Sequence, residues 1–223
     1  YYSETATIRP YMQRFMYKRF IMKTDSTPNR FVKTLMSDDL NIDLKDNDGG
    51  FNCGKAAGYI RDFKSLPDKM QELLKQIKRT RVVFGTIELD NPVDDTGASV
   101  TVGATPFIWE VENRDAFKTM GINVFDKLRK MKRLPTHHYA RLATEERQLP
   151  NGSCFYLPLA TLDLTKTLGM DDESQEILAN FLAWVANYNV YINNAWDENM
   201  HKHEEVDKEI VDDFIDITAE EFA

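Results

Sequence analysis

Apolar residues recur at helical spacing in three places along the chain. Met70, Leu73, Leu74 and Ile77 predict a helix from about Leu66 to Lys78, with Ser65 and Asp68 as a capping-box-like start. Phe117, Met120, Val124, Leu128 and Met131 form the buried stripe of a second, from about Arg114 to Lys132, with Asn113 suited to its N-cap. Ile177, Leu178, Phe181, Trp184, Val185, Tyr188 and Ile192 make the broad apolar face of a third, from about Glu173 to Met200, and Asp171 or Asp172 suits its N-cap. Between them lie short β-like runs. A strand is expected over Arg81–Leu89, others within Ser99–Val102 and Pro106–Val111, and a further pair over His137–Thr144 and Ser153–Leu159. The last two flank Pro150-Asn151-Gly152, a hairpin signal. Residues 37–64 are polar and loop-like, with the turn cluster Asp46-Asn47-Asp48-Gly49-Gly50.

This order predicts an α+β fold: an antiparallel sheet or an oligonucleotide-binding-like barrel with packed helices, including a long C-terminal helix. The barrel reading covers about residues 81–163. Its rival is a sheet with helices on one face. No Pro- or Gly-rich linker divides residues 1–203, so they are expected to form a single domain. The chain starts at Tyr1 rather than Met, which allows for a fragment or a processed form. No apolar run approaches the ~18–20 residues of a membrane span, and no secretory signal is visible. Cys53 and Cys154 lie far apart and form no CxxC, which fits free thiols in a cytoplasm-like reducing compartment.

Charge changes the picture. The chain carries −8, and residues 204–223 alone hold nine acids against Lys208. That tail accounts for the whole net charge, so residues 1–203 are neutral overall and the low pI does not argue against a nucleic-acid partner. Within the neutral body, Arg9–Lys33 holds seven bases (Arg9, Arg14, Lys18, Arg19, Lys23, Arg30, Lys33) and one acid, Asp25. Tyr11, Phe15, Tyr17, Phe20 and Phe31 are interleaved. Cations neutralise phosphates and aromatic faces stack on any base, the pairing that single-strand binding needs. Two readings of Tyr11–Met22 are open. As a strand, it puts Tyr11, Phe15, Tyr17 and Arg19 on an outer binding face and Met12, Met16, Phe20 and Met22 on an inner one. As a helix starting at Arg9-Pro10, its aromatics are core and its bases are solvated.

Two more basic clusters exist. Lys75, Lys78, Arg79 and Arg81 lead into a strand, and Lys127, Arg129, Lys130, Lys132 and Arg133 end the second helix, where the helix dipole alone favours cations. The expected nucleic-acid contacts are therefore Arg9, Tyr11, Arg14, Phe15, Tyr17, Lys18, Arg19, Lys23, Arg30, Phe31, Lys33, Lys78, Arg79, Arg81, Lys130, Lys132 and Arg133.

Catalytic chemistry finds no purchase. Gly49–Ala56 nearly spells a phosphate-binding loop through Gly49, Gly54 and Lys55, but Ala56 stands where a magnesium-binding hydroxyl belongs, so a turn is expected instead. His137 and His138 are adjacent, and His201 and His203 are two apart, so neither pair aligns as metal ligands. Cys53 and Cys154 are expected to be small buried residues. Glu145-Glu146 and Asp171-Asp172 lack acid/base partners. No enzyme activity, cofactor or metal is expected.

The tail mixes its acids with Ile210, Val211, Phe214, Ile215, Ile217 and Phe222, which suits an interaction segment. Much of it is expected to be mobile; the other reading is a final amphipathic helix lying on the body. Basic body and acidic tail together resemble the single-stranded-DNA-binding proteins of bacteria and tailed phages, and Pro106–Gly121 (PFIWEVENRDAFKTMG) is similar to proteins of phage replication clusters. In the single-strand-binding family an oligonucleotide-binding barrel carries a flexible acidic tail that ends in an aromatic residue, recruits replication proteins and competes with DNA for the groove. The matching tail residues are Asp212, Asp213 and Phe214, and Glu220, Glu221 and Phe222. This chain departs from that pattern in having no proline before the aromatic, Ala223 last, and a short linker. The resemblance implies a non-enzymatic protein of phage-type replication or recombination that binds single-stranded DNA, with RNA also compatible, in the host cytoplasm if phage-encoded. Replication or recombination proteins would be partners of the tail, self-association is a further expectation, and no membrane contact is expected. The alternative is a virion or assembly protein whose basic and acidic ends contact neighbouring copies.

Overall fold

The computed structural model describes residues 1–23, 28–58 and 60–220, with side chains as far as residue 200. Strands are β1 (Ala6–Ile21), β2 (Arg30–Lys33), β3 (Ile77–Leu89), β4 (Thr105–Val111), β5 (Ala140–Gln148) and β6 (Cys154–Leu162). Helices are α1 (Asp68–Gln76), α2 (Arg114–Met120), α3 (Lys127–Lys130) and α4 (Asp172–Glu220). The fold is α+β, built on an open sheet. No helix among the described residues is long and apolar enough to cross a membrane.

Two compact units share the chain: Tyr1–Arg14 with Thr80–Ala183, and Phe15–Arg79 with Trp184–Ala223. The crossing points fall inside β1, β3 and α4. A boundary within a continuous strand or helix has no linker composition, so the sequence shows none.

In the first unit the strand path is β4-β3-β1-β5-β6, with antiparallel ladders such as Val83↔Trp109, Ile8↔Ala140 and Ala143↔Leu159. The path ends at two edges, β4 and β6, and does not close, so the barrel expectation is overturned. The barrel reading began at residue 81 and left out β1, which lies between β3 and β5 in the sheet. Helices on one face are also corrected. Val83 packs with Met120, Val124 and Leu128 from the α2–α3 side. Its neighbour Phe84 points the other way, its ring 5.4 Å from that of Phe181 on α4. A strand buried on both faces reads as a continuous apolar run, as Val82-Val83-Phe84 does.

Asn113 caps α2 as expected, its side chain accepting the amides of Asp115 and Ala116. The helical run to Lys130 is interrupted by a π-helical turn at Gly121–Asp126. Asp171 caps α4 through the Ser174 amide, at 2.9 Å. The β5–β6 hairpin forms, paired out to Gln148↔Cys154. Other expected bounds move. His137 ends a 3-10 turn, and β5 starts at Ala140. Ser99–Val102 forms no strand, only the bridge Val93↔Ser99. Pro67, not Ser65, precedes α1, and Ile77 begins β3. α4 continues past Met200 to Glu220.

In the second unit β2 pairs antiparallel with the end of β1, and Tyr17, Val32, Leu44 and Cys53 form a small core. The loop 46–53 is organised by one carboxylate: Asp46 accepts the amides of Asp48, Gly50 and Cys53, each at 3.0 Å. It meets α4, where the Trp196 indole donates to the Gly50 carbonyl and the Asn199 amide to the Asn47 carbonyl. A Cβ on Gly49 would lie 2.9 Å from the α4 backbone, and Gly54 has φ +97. The glycines of the phosphate-loop-like segment thus serve close approach and a left-handed turn, as expected of a turn.

Burial raises the Asp46 carboxyl above the ordinary carboxylate pKa, against the lowering effect of its three amide donors. A carboxyl raised in the folded state contributes stability below its unfolded pKa and loses it as pH rises through the folded one. Asp46→Ala should cost about 2–4 kcal/mol by urea denaturation, since buried amides lose their acceptor. The stability difference between the native protein and Asp46→Asn should shrink from about pH 3 to pH 7. A difference that grows with pH would contradict the burial effect.

Candidate nucleic-acid interface

Cross-strand register decides which side chains share a face. Opposed residues project to the same side of a ladder, and alternate rungs project to opposite sides. The β1–β2 rungs are Lys18↔Lys33, Arg19↔Val32, Phe20↔Phe31 and Ile21↔Arg30. One side therefore carries Lys18, Lys33, Phe20 and Phe31. The other carries buried Val32, which anchors the ribbon on the small core.

The first side faces solvent. Phe20 is 40% exposed and Phe31 52% exposed, with their rings 4.9 Å apart. The Lys18 and Lys33 ammonium groups lie 5.7 and 5.8 Å from the Phe31 ring centre. Directly opposed like charges destabilise a ladder, as does leaving two phenyl rings in water. Met22, 75% exposed, and Lys23 follow on the chain. Arg30, on the opposite side of the ribbon, is held in a two-pronged contact by Asp48.

The expected outer face of β1 is therefore corrected. β1 is a strand, but Tyr11 is 5% exposed, edge-on to Phe181, and Tyr17 is 2% exposed, its hydroxyl donating to the Leu40 carbonyl. Phe15 is half-buried and paired through its backbone with Ser37. Met12 and Met16 are buried as expected, yet Phe20, assigned to the same inner face, is exposed. Both faces are covered up to Tyr17, and the strand then leaves the core. Phe20 is the residue the sequence reading missed; the signal was its alternation with Lys18, opposite Phe31.

The remaining expected contacts divide between the units. In the second unit Arg19 donates to Gln76, and Lys78 and Arg79 are exposed. In the first unit Arg14 donates to the Gln13 carbonyl, and Lys130, Lys132 and Arg133 are exposed. Arg9 donates to the Thr136 and Gly169 carbonyls and to the Ser174 hydroxyl, which makes it a structural clamp. Arg81 is buried: its guanidinium donates to Gln13 and lies 4.4 Å over the Phe117 ring, and burial pushes its pKa down to about 10. Both guanidinium groups are engaged within the first unit. Tail side chains from Asp212 to Phe222 lie outside the described residues.

Elsewhere the chemistry is sparse. Cys53 is buried, and its burial pushes the thiol pKa up; Cys154 is exposed, contrary to expectation, with its thiol pKa raised by a hydrogen bond to Glu146. Among the described residues no three His, Cys, Asp or Glu side chains group as metal ligands. No protein-family model, curated protein or solved structure matches the chain.

Proposed function

We propose that the protein binds single-stranded DNA without catalysing a reaction, through the exposed face of the β1–β2 ribbon. The observation that carries this reading is the exposed Phe20–Phe31 pair beside the Lys18–Lys33 pair. Exposed aromatic rings accept bases of any sequence, and the neighbouring ammonium groups suit the phosphates of the same strand. Lys23 extends the positive charge. Single-stranded RNA presents the same chemistry, apart from its 2′-hydroxyl. The acidic segment 204–223 supports a role in phage-type DNA replication or recombination, in the cytoplasm of the host, where it would recruit protein partners or compete with the strand for cations.

The test is an anisotropy titration with labelled single-stranded and duplex oligonucleotides over a range of salt. Lys18, Lys23 and Lys33 neutralising one phosphate each would give a log–log salt slope near −2, at about −0.7 per phosphate. Single strands should bind more tightly than duplex. Absence of binding at low salt, or equal binding of duplex, removes the reading. Salt-sensitive self-association without nucleic-acid binding would favour the assembly protein instead.

A further inference from the structure

The sheet of the first unit has a side that faces α4. Ile8 and Val83 project into the core on the α2–α3 side, so Thr7, Arg9 and Tyr11 on β1, and Thr86 and Glu88 on β3, project to the other. Between these strands and the first turns of α4 lies a cavity of about 410 Å³, and its described lining belongs to this one unit. Ligand pockets run from about 300 to 1,000 Å³, so this one takes a small molecule.

Tyr11 marks where a ligand would sit. It is only 5% exposed, yet it lines the cavity. The Arg9 guanidinium lies 5.4 Å from its ring centre, and Phe181 meets the ring edge-on at 6.0 Å. With the ring packed in this way, the hydroxyl is the group left for the cavity. Among the described residues that hydroxyl has no hydrogen-bond partner, and it is not sealed off from solvent either. Buried hydroxyls are paired as a rule, so this one is available to a bound group.

The charge around Tyr11 is negative. Glu88 comes from β3, and Glu173 and Glu176 from the start of α4. None of the three carboxylates has an ion pair or a hydrogen bond among the described residues. The helix dipole accounts for Glu173 and Glu176, but not for Glu88. Asp171 is engaged as the cap of α4. Arg9 is engaged as well, donating to the Thr136 carbonyl and the Ser174 hydroxyl. Carboxylates facing one cavity repel, and a cation between them relieves the repulsion. They do not converge on a point, since among the described residues no three acids group as metal ligands. The matching cation therefore spreads its charge along a chain, with methylene groups against Pro106 and Ile177.

We propose that this cavity binds an aliphatic polyamine, with its ammonium groups at Glu88 on one wall and at Glu173 and Glu176 on the other, and with the Tyr11 hydroxyl accepting one N–H. The site shares no residue with the ribbon face and stands independently of the reading of that face.

Calorimetric titration of the full chain with spermidine, butylamine and magnesium chloride tests this. Expected is one spermidine per chain, bound at least about tenfold more tightly than butylamine, since a second charge-assisted contact contributes about that much or more. Glu88→Gln and Glu176→Gln should each weaken spermidine at least about tenfold. Glu72→Gln, exposed on α1, should leave it unchanged. Tyr11→Phe should weaken spermidine about threefold or more and keep the native melting temperature, because the hydroxyl it removes has no partner in the folded protein. Unchanged affinity in Glu88→Gln assigns the amine to the acidic segment 204–223 and overturns the proposal. Butylamine binding as tightly as spermidine, displacement by equimolar magnesium chloride, or no saturation in the millimolar range overturns it too. A lower melting temperature in Tyr11→Phe shows a hydroxyl engaged in the fold and removes the observation on which the site stands.

Discussion

Changing Phe20 and Phe31 together to alanine should lower single-strand affinity about a hundredfold while leaving the melting temperature close to that of the native protein. Each base–aromatic stack contributes about 1–3 kcal/mol, and the two rings lie so close that their losses will not add fully. Both side chains are already about half in water, so the folded state gives up little apolar burial. Tyr17→Ala supplies the contrast. Tyr17 belongs to the small core of the second unit and its hydroxyl donates to the Leu40 carbonyl, so its loss should cost about 3 kcal/mol of stability. Anisotropy titration at low salt, with thermal melting alongside, separates the two. Affinity within a factor of two of native in the double variant would show that the rings do not stack on bases.

The difference between Tyr17 and Phe20 marks the limit of the sequence. Period-2 alternation places Met12, Met16 and Phe20 on one side of β1, and the sheet respects that parity. Burial does not follow parity, because a central strand covered on both faces buries Tyr11 beside Met12 and Tyr17 beside Met16. The same double coverage makes Met12, Phe15, Met16 and Phe20 match a helix as well as a strand. Elements whose signals are local were legible: the Asn113 cap, the β5–β6 hairpin, and the α4 stripe through Phe181, Val185 and Ile192. Arg81 was not. Its place in a run of cations reads as a surface patch, whereas the guanidinium packs over Phe117 in space left by Gly121, where a Cβ would come 2.5 Å from the guanidinium. That contact joins residues more than thirty positions apart, and no local pattern encodes it. Lys18 against Lys33 is likewise a product of register, fixed by where β2 docks on β1.

Gly85→Ala should be the most damaging single-methyl change in the first unit. A Cβ at this position would lie 2.3 Å from the Arg9 carbonyl oxygen and 3.1 Å from the Pro10 Cα. Both are backbone atoms of β1, so no side-chain rotation relieves the collision. Nor is β1 able to retreat. Its Arg9 guanidinium is tied to the Thr136 and Gly169 carbonyls and to Ser174, and Ile8 is fully buried and paired with Ala140 on the other side. Overpacking by one methyl costs about 1–3 kcal/mol where neighbours yield. Here they are pinned, and a loss of about 3 kcal/mol or more is expected, a large share of the ~5–15 kcal/mol that holds a typical protein folded. For a chain of this size that lowers the melting temperature by roughly 10 °C. Gly103→Ala is the control: a Cβ there meets nothing within 4 Å, and the change should stay within about 0.5 kcal/mol. Urea and thermal denaturation of the two variants measure the difference. If Gly85→Ala melts with the native protein, β1 and β3 do not approach as closely as the strand path requires, and β1, which presents Lys18 and Phe20, loses the inner neighbour that fixes its place in the sheet.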